Sequence, residues 1–533
     1  MNAVSKIREI KNAAKLLKAG VGFALAATRG RAAGRRYLVE TLQNATGLHA
    51  KFAQVLKMNS NGLHNSESDG LNLIPPDFHK TDSLLSIDVV TEIIEQECPQ
   101  LLTQIESFEN GVWAASLGQV HCAKLKSGAR IAIKVQYPFA QEELQIQFKA
   151  FMKLSSISPA KKFNFCFEGF SQFLAQHFTD ETNYKHEALV QEIFCKNYCS
   201  FASTFGDNVV IPSVFTEFST GKLLVQKFEN VTPFSEVMSW STSLRERCSQ
   251  LFIESFLFSL FQNGHIHSDL NPGNWGFRKR CLAGSENIEL VLFDFGSTLV
   301  IPEKNHLLAL IRIVSDIKNR GDISPLAHFE ALGFDLEKLK LISAQLPALC
   351  ERLFMPLISD RVFMPAEWDL AGNFDRILGE NKWWFRMAGP PWFFLFMRSV
   401  QGLCWALEKL NVPISVSDCW HKATAHLMVE ASDLKFKTQT RNENFLGLPG
   451  FDKCAQYLCI RITEGGREKV NLSLPVRVVD EIEFYLPEEA LQEIKSSGEN
   501  ILEIKSKIQK SGYLPQSVLN REINSRKFSV SLV

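Results

Sequence analysis

The stretch GHIHSDLNPGNWGF, Gly264 to Phe277, sets a histidine, an aspartate and an asparagine in the spacing H-x-D-x-x-x-x-N, and VLFDFG, Val291 to Gly296, follows shortly after. The order suits chemistry better than packing. Asp269 can orient or deprotonate an acceptor hydroxyl, and Asn274, back at the same end of a folded loop, can offer its side-chain oxygen to a divalent metal. Pro272 and Gly273 keep the segment out of helix. The apolar run before Asp294 reads as a strand whose end delivers a second carboxylate beside that loop.

A third piece lies upstream. VHCAKLKSGARIAIKVQYP, Val120 to Pro138, reads as a hairpin turning at Ser127-Gly128, and Lys134 follows Ile131, Ala132 and Ile133. Taken singly, a lysine after an apolar strand is an ordinary exposed end. Followed by H-x-D-x-x-x-x-N and D-F-G, it matches the strand lysine that grips nucleotide phosphates in protein kinases. Glu187, in YKHEALVQEIF, is the candidate partner that would fix its ammonium. The phosphate-covering G-x-G-x-x-G is absent; WAASLGQVH, Trp113 to His121, stands in its place.

These motifs resemble the UbiB/AarF family of atypical kinases. Its marks are an alanine-rich nucleotide loop ending G-Q-V-H, a V-A-V-K-V-Q-Y-P strand and an N-terminal K-x-G-Q helix. The sequence reads AASLGQVH, IAIKVQYP and KFAQ, Lys51 to Gln54, and the likeness runs from about residue 35 to 415. The resemblance implies a protein-kinase-like fold that binds ATP or ADP with Mg2+, held by Ala114, Ala115, Ser116, Gly118, Gln119, Val120 and Lys134, with Asn274 and Asp294 as metal ligands. It also implies that Lys51 and Gln54 enter the active site, with Lys51 near Glu181 of an E-x-D motif, and that the acceptor is a small lipid-like or quinone-related molecule rather than a protein. Two positions depart from the pattern. Ala53 replaces the glycine of K-x-G-Q, and Asn183 stands where E-x-D expects aspartate, which removes one carboxylate from the site.

The rest of the chain sets bounds. At 533 residues it is long enough for two to four domains of roughly 100 to 200 residues each. A formal charge of zero gives no global field for nucleic acid, so none is expected as a partner. Forty-one Phe against seven Tyr favour deep apolar packing. Before residue 37, nine Lys or Arg against the single Glu9 accompany apolar residues at helical spacing, a basic amphipathic helix suited to docking on the protein, to targeting or to peripheral membrane contact. The apolar runs at 20–27 and 390–410 are too short or too interrupted by Arg398 and Gln401 to span a bilayer. Twelve Cys without a C-x-x-C pair predict a reducing, cytoplasmic setting and no structural zinc.

The expected architecture is α+β and two-lobed. Residues 1–80 form a helical extension with a linker, 81–230 a strand-rich lobe with inserted helices, 231–435 a helical lobe with the catalytic and D-F-G loops, and 436–533 a small α/β module that ends in helices. VVIPSVFTEFSTGKLLVQKFE, Val209 to Glu229, reads as two strands around Thr220-Gly221. The favoured function is an ATP-dependent phosphotransferase or ATPase of the UbiB type. A nucleotide-binding scaffold without turnover is the second reading, motivated by Asn183 and the alanine-rich loop. The third is a soluble phosphotransferase of the aminoglycoside or choline kinase type, against which the KFAQ helix argues.

Overall fold

The computed structural model describes residues 84–144 apart from 116, 139 and 143, then 167–436 apart from 206–207, 283–284 and 320–324, and parts of 455–533. Lys51, Gln54, Ser116 and the basic N-terminal segment lie outside the described residues. The chain divides into two compact units, one holding the described residues up to Val300 together with Phe394–Val412, the other Ile301–Phe393 and the described residues from Pro413 onward.

The first unit starts with helices Ile87–Glu97 (α1) and Pro99–Gln104 (α2), followed by strands Ile105–Ala114 (β1), Gly118–Leu125 (β2) and Arg130–Gln136 (β3). Ser86 caps α1 through Val89 N, and Pro99 opens α2 at a position where its missing N–H costs nothing. The β2–β3 hairpin turns at Gly128, whose φ of 86° only glycine adopts without strain. With Leu223–Lys227 (β5), these strands form an antiparallel sheet in the order β1-β2-β3-β5. Alternation does the sorting. Ala123, Ile131, Ile133, Val135, Leu223 and Val225 bury one face against Val90, Ile94 and Leu101 of α1 and α2, so Lys134 must point to the other face.

That other face receives helix Tyr184–Phe205 (α4), which follows Phe167–Glu181 (α3); Tyr184 and Ala188 pack on Leu224, the cross-strand partner of Lys134. The expected pair of strands in 209–229 is not what forms. Asn208–Val210 (β4) is a three-residue strand in a different sheet, parallel to the later strand Ser285–Leu292 (β8), and a 3-10 turn at Thr216–Phe218 separates it from β5. Pro212 lacks the N–H that a longer strand would need.

Helix Thr242–Asn263 (α5) is buried along most of its length and is capped by Ser241 through Leu244 N and by Gly264, left-handed at φ 59°, whose N–H bonds Leu260 O. The chain then enters His265–His267 (β6), the loop to Trp275–Leu282 (β7), β8, and Thr298–Val300 (β9). β7 and β8 pair in an unbroken antiparallel register, so residues expected to be helical after Val231 include a second hairpin.

The second unit contains helices Lys304–Lys318 (α6) and Leu346–Ile358 (α7), whereas Pro391–Leu410 (α8) returns the chain to the first unit. Its C-terminal part is an antiparallel sheet of Tyr457–Glu464 (β10), Arg467–Pro475 (β11), Gln516–Ile523 (β12) and Arg526–Leu532 (β13) in the order β11-β10-β13-β12, with helix Ile501–Lys510 (α9). The last two elements are strands, not the expected helices: β12 and β13 alternate buried Leu519, Phe528, Val530 and Leu532 with polar residues, a period of two. Among the described residues no helix is long and apolar enough to cross a membrane.

Candidate active site

The first unit brings together the distant letters of three motifs. Lys134 Nζ lies 2.8 and 2.9 Å from the two carboxylate oxygens of Glu187 on α4 and 3.0 Å from Asp294 Oδ1. All three side chains converge on the face of the small sheet opposite α1. Glu187 is 1% exposed and the Lys134 side chain 9%, so the pair sits where charges are felt strongly. Burial alone would push Lys134 down, but Asp294 and then Glu187 outweigh it and hold the ammonium above its ordinary value. The Tyr184 ring lies 5.0 Å from the same Nζ.

Asp294 is held in the left-handed region at φ 52°, unusual for a residue with a side chain. The surrounding bonds fix it there. Phe293 N donates to Asn274 O at 2.7 Å, which seats Asn274 beside the residue preceding Asp294. His267 braces both sides: its Nε2 meets Phe293 O at 2.9 Å and its Nδ1 accepts from Asp269 N at 3.2 Å. A carbonyl only accepts and an amide N–H only donates, so the ring is neutral with its proton on Nε2. Burial, which lowers the His267 pKa, agrees.

Asn274 donates its side-chain amide to Asp269 O at 2.9 Å, which turns its Oδ1 into the remaining acceptor end. With the half-open Asp294 carboxylate it makes a hard oxygen donor pair, as magnesium requires, and among the described residues no cluster of three His, Cys, Asp or Glu forms an all-protein metal cage. Two protein ligands with the remainder supplied by phosphate oxygens and water are the usual magnesium arrangement in nucleotide sites, so the residues present fit the ion.

The alanine-rich loop is a tight turn in which Ala115 N donates to Gly118 O at 2.8 Å, between Ala114 of β1 and Gly118 of β2. A Cβ at Gly118 would stand 2.1 Å from Val135 O, so only glycine lets this loop lie against β3. Val120 pairs directly with Lys134 and shares its face. Gln119 does not. Its side chain is buried on the opposite face, accepts from Leu85 N at 2.9 Å and donates to Leu85 O at 3.1 Å, so its only route to a nucleotide is through its backbone.

Glu181 is buried at the end of α3, 3.4 Å from His177 Nε2, which also meets Ser297 Oγ at 3.0 Å just past the D-F-G segment. Asn183 is exposed and its Oδ1 accepts from Lys185 N, an N-terminal cap on α4 that an aspartate oxygen would make equally. The motifs do not point to Arg398, whose Nη2 lies 2.7 Å from Asp269 Oδ1 as an ion pair outside linear hydrogen-bond geometry. Its signal in the sequence is a lone charge in the apolar run of α8, a feature that also reads as an interruption of a membrane span.

Comparison with known proteins places this geometry. Residues 81–321 match the model of the ABC1 atypical kinase-like domain. Over those residues the chain is similar to an ABC1/AarF-type atypical kinase domain, and its fold is α+β and kinase-like. Among curated proteins it is similar to the atypical kinase COQ8B, mitochondrial, of Danio rerio, 25% identical over 311 residues that cover 56% of this chain and 47% of that one. It is also similar to an uncharacterized aarF domain-containing protein kinase, chloroplastic, of Arabidopsis thaliana, 28% identical with 64% and 47% covered. The chain thus spans about half the length of these relatives. A solved complex of Rv3197 with erythromycin from Mycobacterium tuberculosis is 20% identical over 64% of this chain and 83% of that chain, with a TM-score of 0.44.

Proposed function

We propose that this ABC1-type domain is an ATP-dependent phosphotransferase or ATPase of the UbiB type. The observation that supports it is the convergence of Lys134, Glu187 and Asp294 within 3.0 Å contacts beside the loop that carries Asp269 and Asn274. In this reading Lys134, fixed by Glu187, exchanges its Asp294 contact for phosphate oxygens when ATP or ADP enters. Asp294 and Asn274 would hold a magnesium ion, which would supply positive charge against the charge developing on the phosphoryl group. Asp269 orients the acceptor hydroxyl and takes its proton. The tight loop at Ala115 to Gly118, stiffer than a G-x-G-x-x-G, and Val120 form the roof of the nucleotide site.

We assign the acceptor to small lipid-like or isoprenoid-quinone-related molecules, which rests on the resemblance and on the printed names of the COQ8 relatives. Lys51, Gln54 and Glu181 are proposed to close the acceptor side. Peripheral attachment through the basic segment before residue 37 belongs to the same reading; co-sedimentation with anionic vesicles, with and without residues 1–36, decides it.

The test is phosphate release from Mg-ATP, with and without a quinone-precursor mimic or detergent lipid, by the full chain and by Asp269→Asn and Asp294→Asn. Asparagine tolerates the left-handed backbone at 294, so the second variant removes charge without adding strain. Turnover in the parent that both variants abolish is the expected result. A nucleotide-induced rise in Tm with no phosphate released would instead make the protein a binding scaffold.

A further inference from the structure

We propose that Arg398 is the positioning residue for Asp269, delivered by one turn of α8 that shapes the whole catalytic loop. The proposal rests on the phosphotransfer reading above. Three contacts carry it. Arg398 Nη2 lies 2.7 Å from Asp269 Oδ1, with side chains only 12% and 13% exposed. The next residue, Ser399, is fully buried and donates its hydroxyl to His267 O at 2.6 Å. One turn on, a Cβ at Gly402 would stand 2.7 Å from Leu270 O, a carbonyl that already accepts from Trp275 Nε1 at 3.0 Å. Residues 398, 399 and 402 therefore meet residues 269, 267 and 270.

The chemistry of the pair gives these contacts a direction. The second neighbour of the Asp269 carboxylate, the Asn271 side-chain amide, also bonds Oδ1. Both partners thus hold the same oxygen, and Oδ2 is left as the one that takes the acceptor proton. A guanidinium inside an apolar helix is costly unless a carboxylate meets it, so the Arg398 pairing favours one orientation of the Asp269 carboxylate. Orientation matters because a base misplaced by an ångström forfeits much of the rate while leaving nucleotide binding untouched. Arg398 touches neither nucleotide nor acceptor in this account and acts through Asp269 alone.

The experiment uses the full chain and measures three things: kcat and KM for Mg-ATP, ADP affinity, and thermal stability in a double-mutant cycle of Arg398→Ala with Asp269→Ala. Arg398→Ala is expected to lower kcat about 100-fold with KM and ADP affinity within about 2-fold, the pattern of lost alignment rather than lost binding. Arg398→Lys should recover part of the rate, as should millimolar guanidinium added to Arg398→Ala. The Tm changes should be non-additive, because each single variant strands the other's charge. Unchanged kcat in Arg398→Ala, a rate that neither lysine nor guanidinium restores, or additive Tm changes would each overturn the proposal. If the parent releases no phosphate, the phosphotransfer reading is what fails, and the stability cycle alone decides whether Arg398 fixes Asp269.

Discussion

Lys134 Nζ stands 3.0 Å from Asp294 Oδ1 while also touching both carboxylate oxygens of the buried Glu187. One cation serves two anions, so removing it exposes more than one debt. Lys134→Met leaves Glu187 buried without its ammonium and should destabilise the unit by about 3–5 kcal/mol, read as a lowered urea midpoint. Adding Glu187→Leu should recover most of the loss. A double variant as unstable as the single one would show that the pair is not the source.

The histidines set a pH dependence. Burial, with the nearby His267 second, pushes His265 down to about 4, and its ring lies against Phe194 with centroids 4.6 Å apart. The folded pKa is depressed, so between pH 6.5 and 4 the unfolded chain binds a proton that the fold refuses. Stability therefore rises with pH across that window and is lost on acidification, by up to about 1.4 kcal/mol per pH unit for each such group. His121, His267 and His306 shift the same way for the same first cause. Tm should fall steeply from pH 7 to 5, and less steeply in His265→Gln; equal slopes would contradict the assignment.

Glycine positions separate contact from tolerance. Gly118→Ala must move a backbone carbonyl, because the new Cβ would lie 2.1 Å from Val135 O. We expect a loss of about 1–3 kcal/mol and weaker nucleotide binding. Gly221→Ala meets nothing within 4 Å and should change stability by less than about 0.5 kcal/mol. Similar losses at the two sites, measured by denaturant titration, would refute the steric account.

Glu289 offers a second buried charge. It is 1% exposed on β8 and pairs with Arg278 and Arg280 of β7, which places it under the hairpin that carries Asn274 and Asp294 at its ends. Glu289→Ala should cost about 1.5–3 kcal/mol, because it removes the charged acceptor shared by both arginines while Arg278 keeps Glu229. Arg280→Ala, whose side chain is 54% exposed, should cost below about 1 kcal/mol. Equal costs would place the energy elsewhere.

The catalytic letters were legible because their chemistry is local. Asp269 and Asn274 share one loop, Asp294 follows an apolar strand, and Lys134 sits in a hairpin with a clear turn. The Glu187 partnership was legible as well, since the strand lysine of this motif calls for a carboxylate on a following helix. Other features depend on long-range contact. Arg398 reaches Asp269 across the fold, and nothing in its neighbours' spelling distinguishes a guanidinium that anchors a catalytic loop from one that merely interrupts an apolar helix. Gln119 sits inside a motif associated with nucleotide, yet strand alternation turns it to the far face, toward Leu85. β7 reads poorly as a strand because WGFRKRCL carries three successive cations; its partner β8 supplies Glu289 to offset them. Strand β4 escapes for a related reason, since three residues carry no periodicity and only the parallel neighbour β8 makes them a strand.

That small parallel pairing has a mechanical consequence. β4 follows α4 almost at once, and Val210 lies beside Val291 on the strand that leads to Asp294. The helix bearing Glu187 is therefore stitched to the hairpin bearing both oxygen ligands. Moving this helix away as a whole therefore has to open the pairing of residues 208–210 with 289–291 as well.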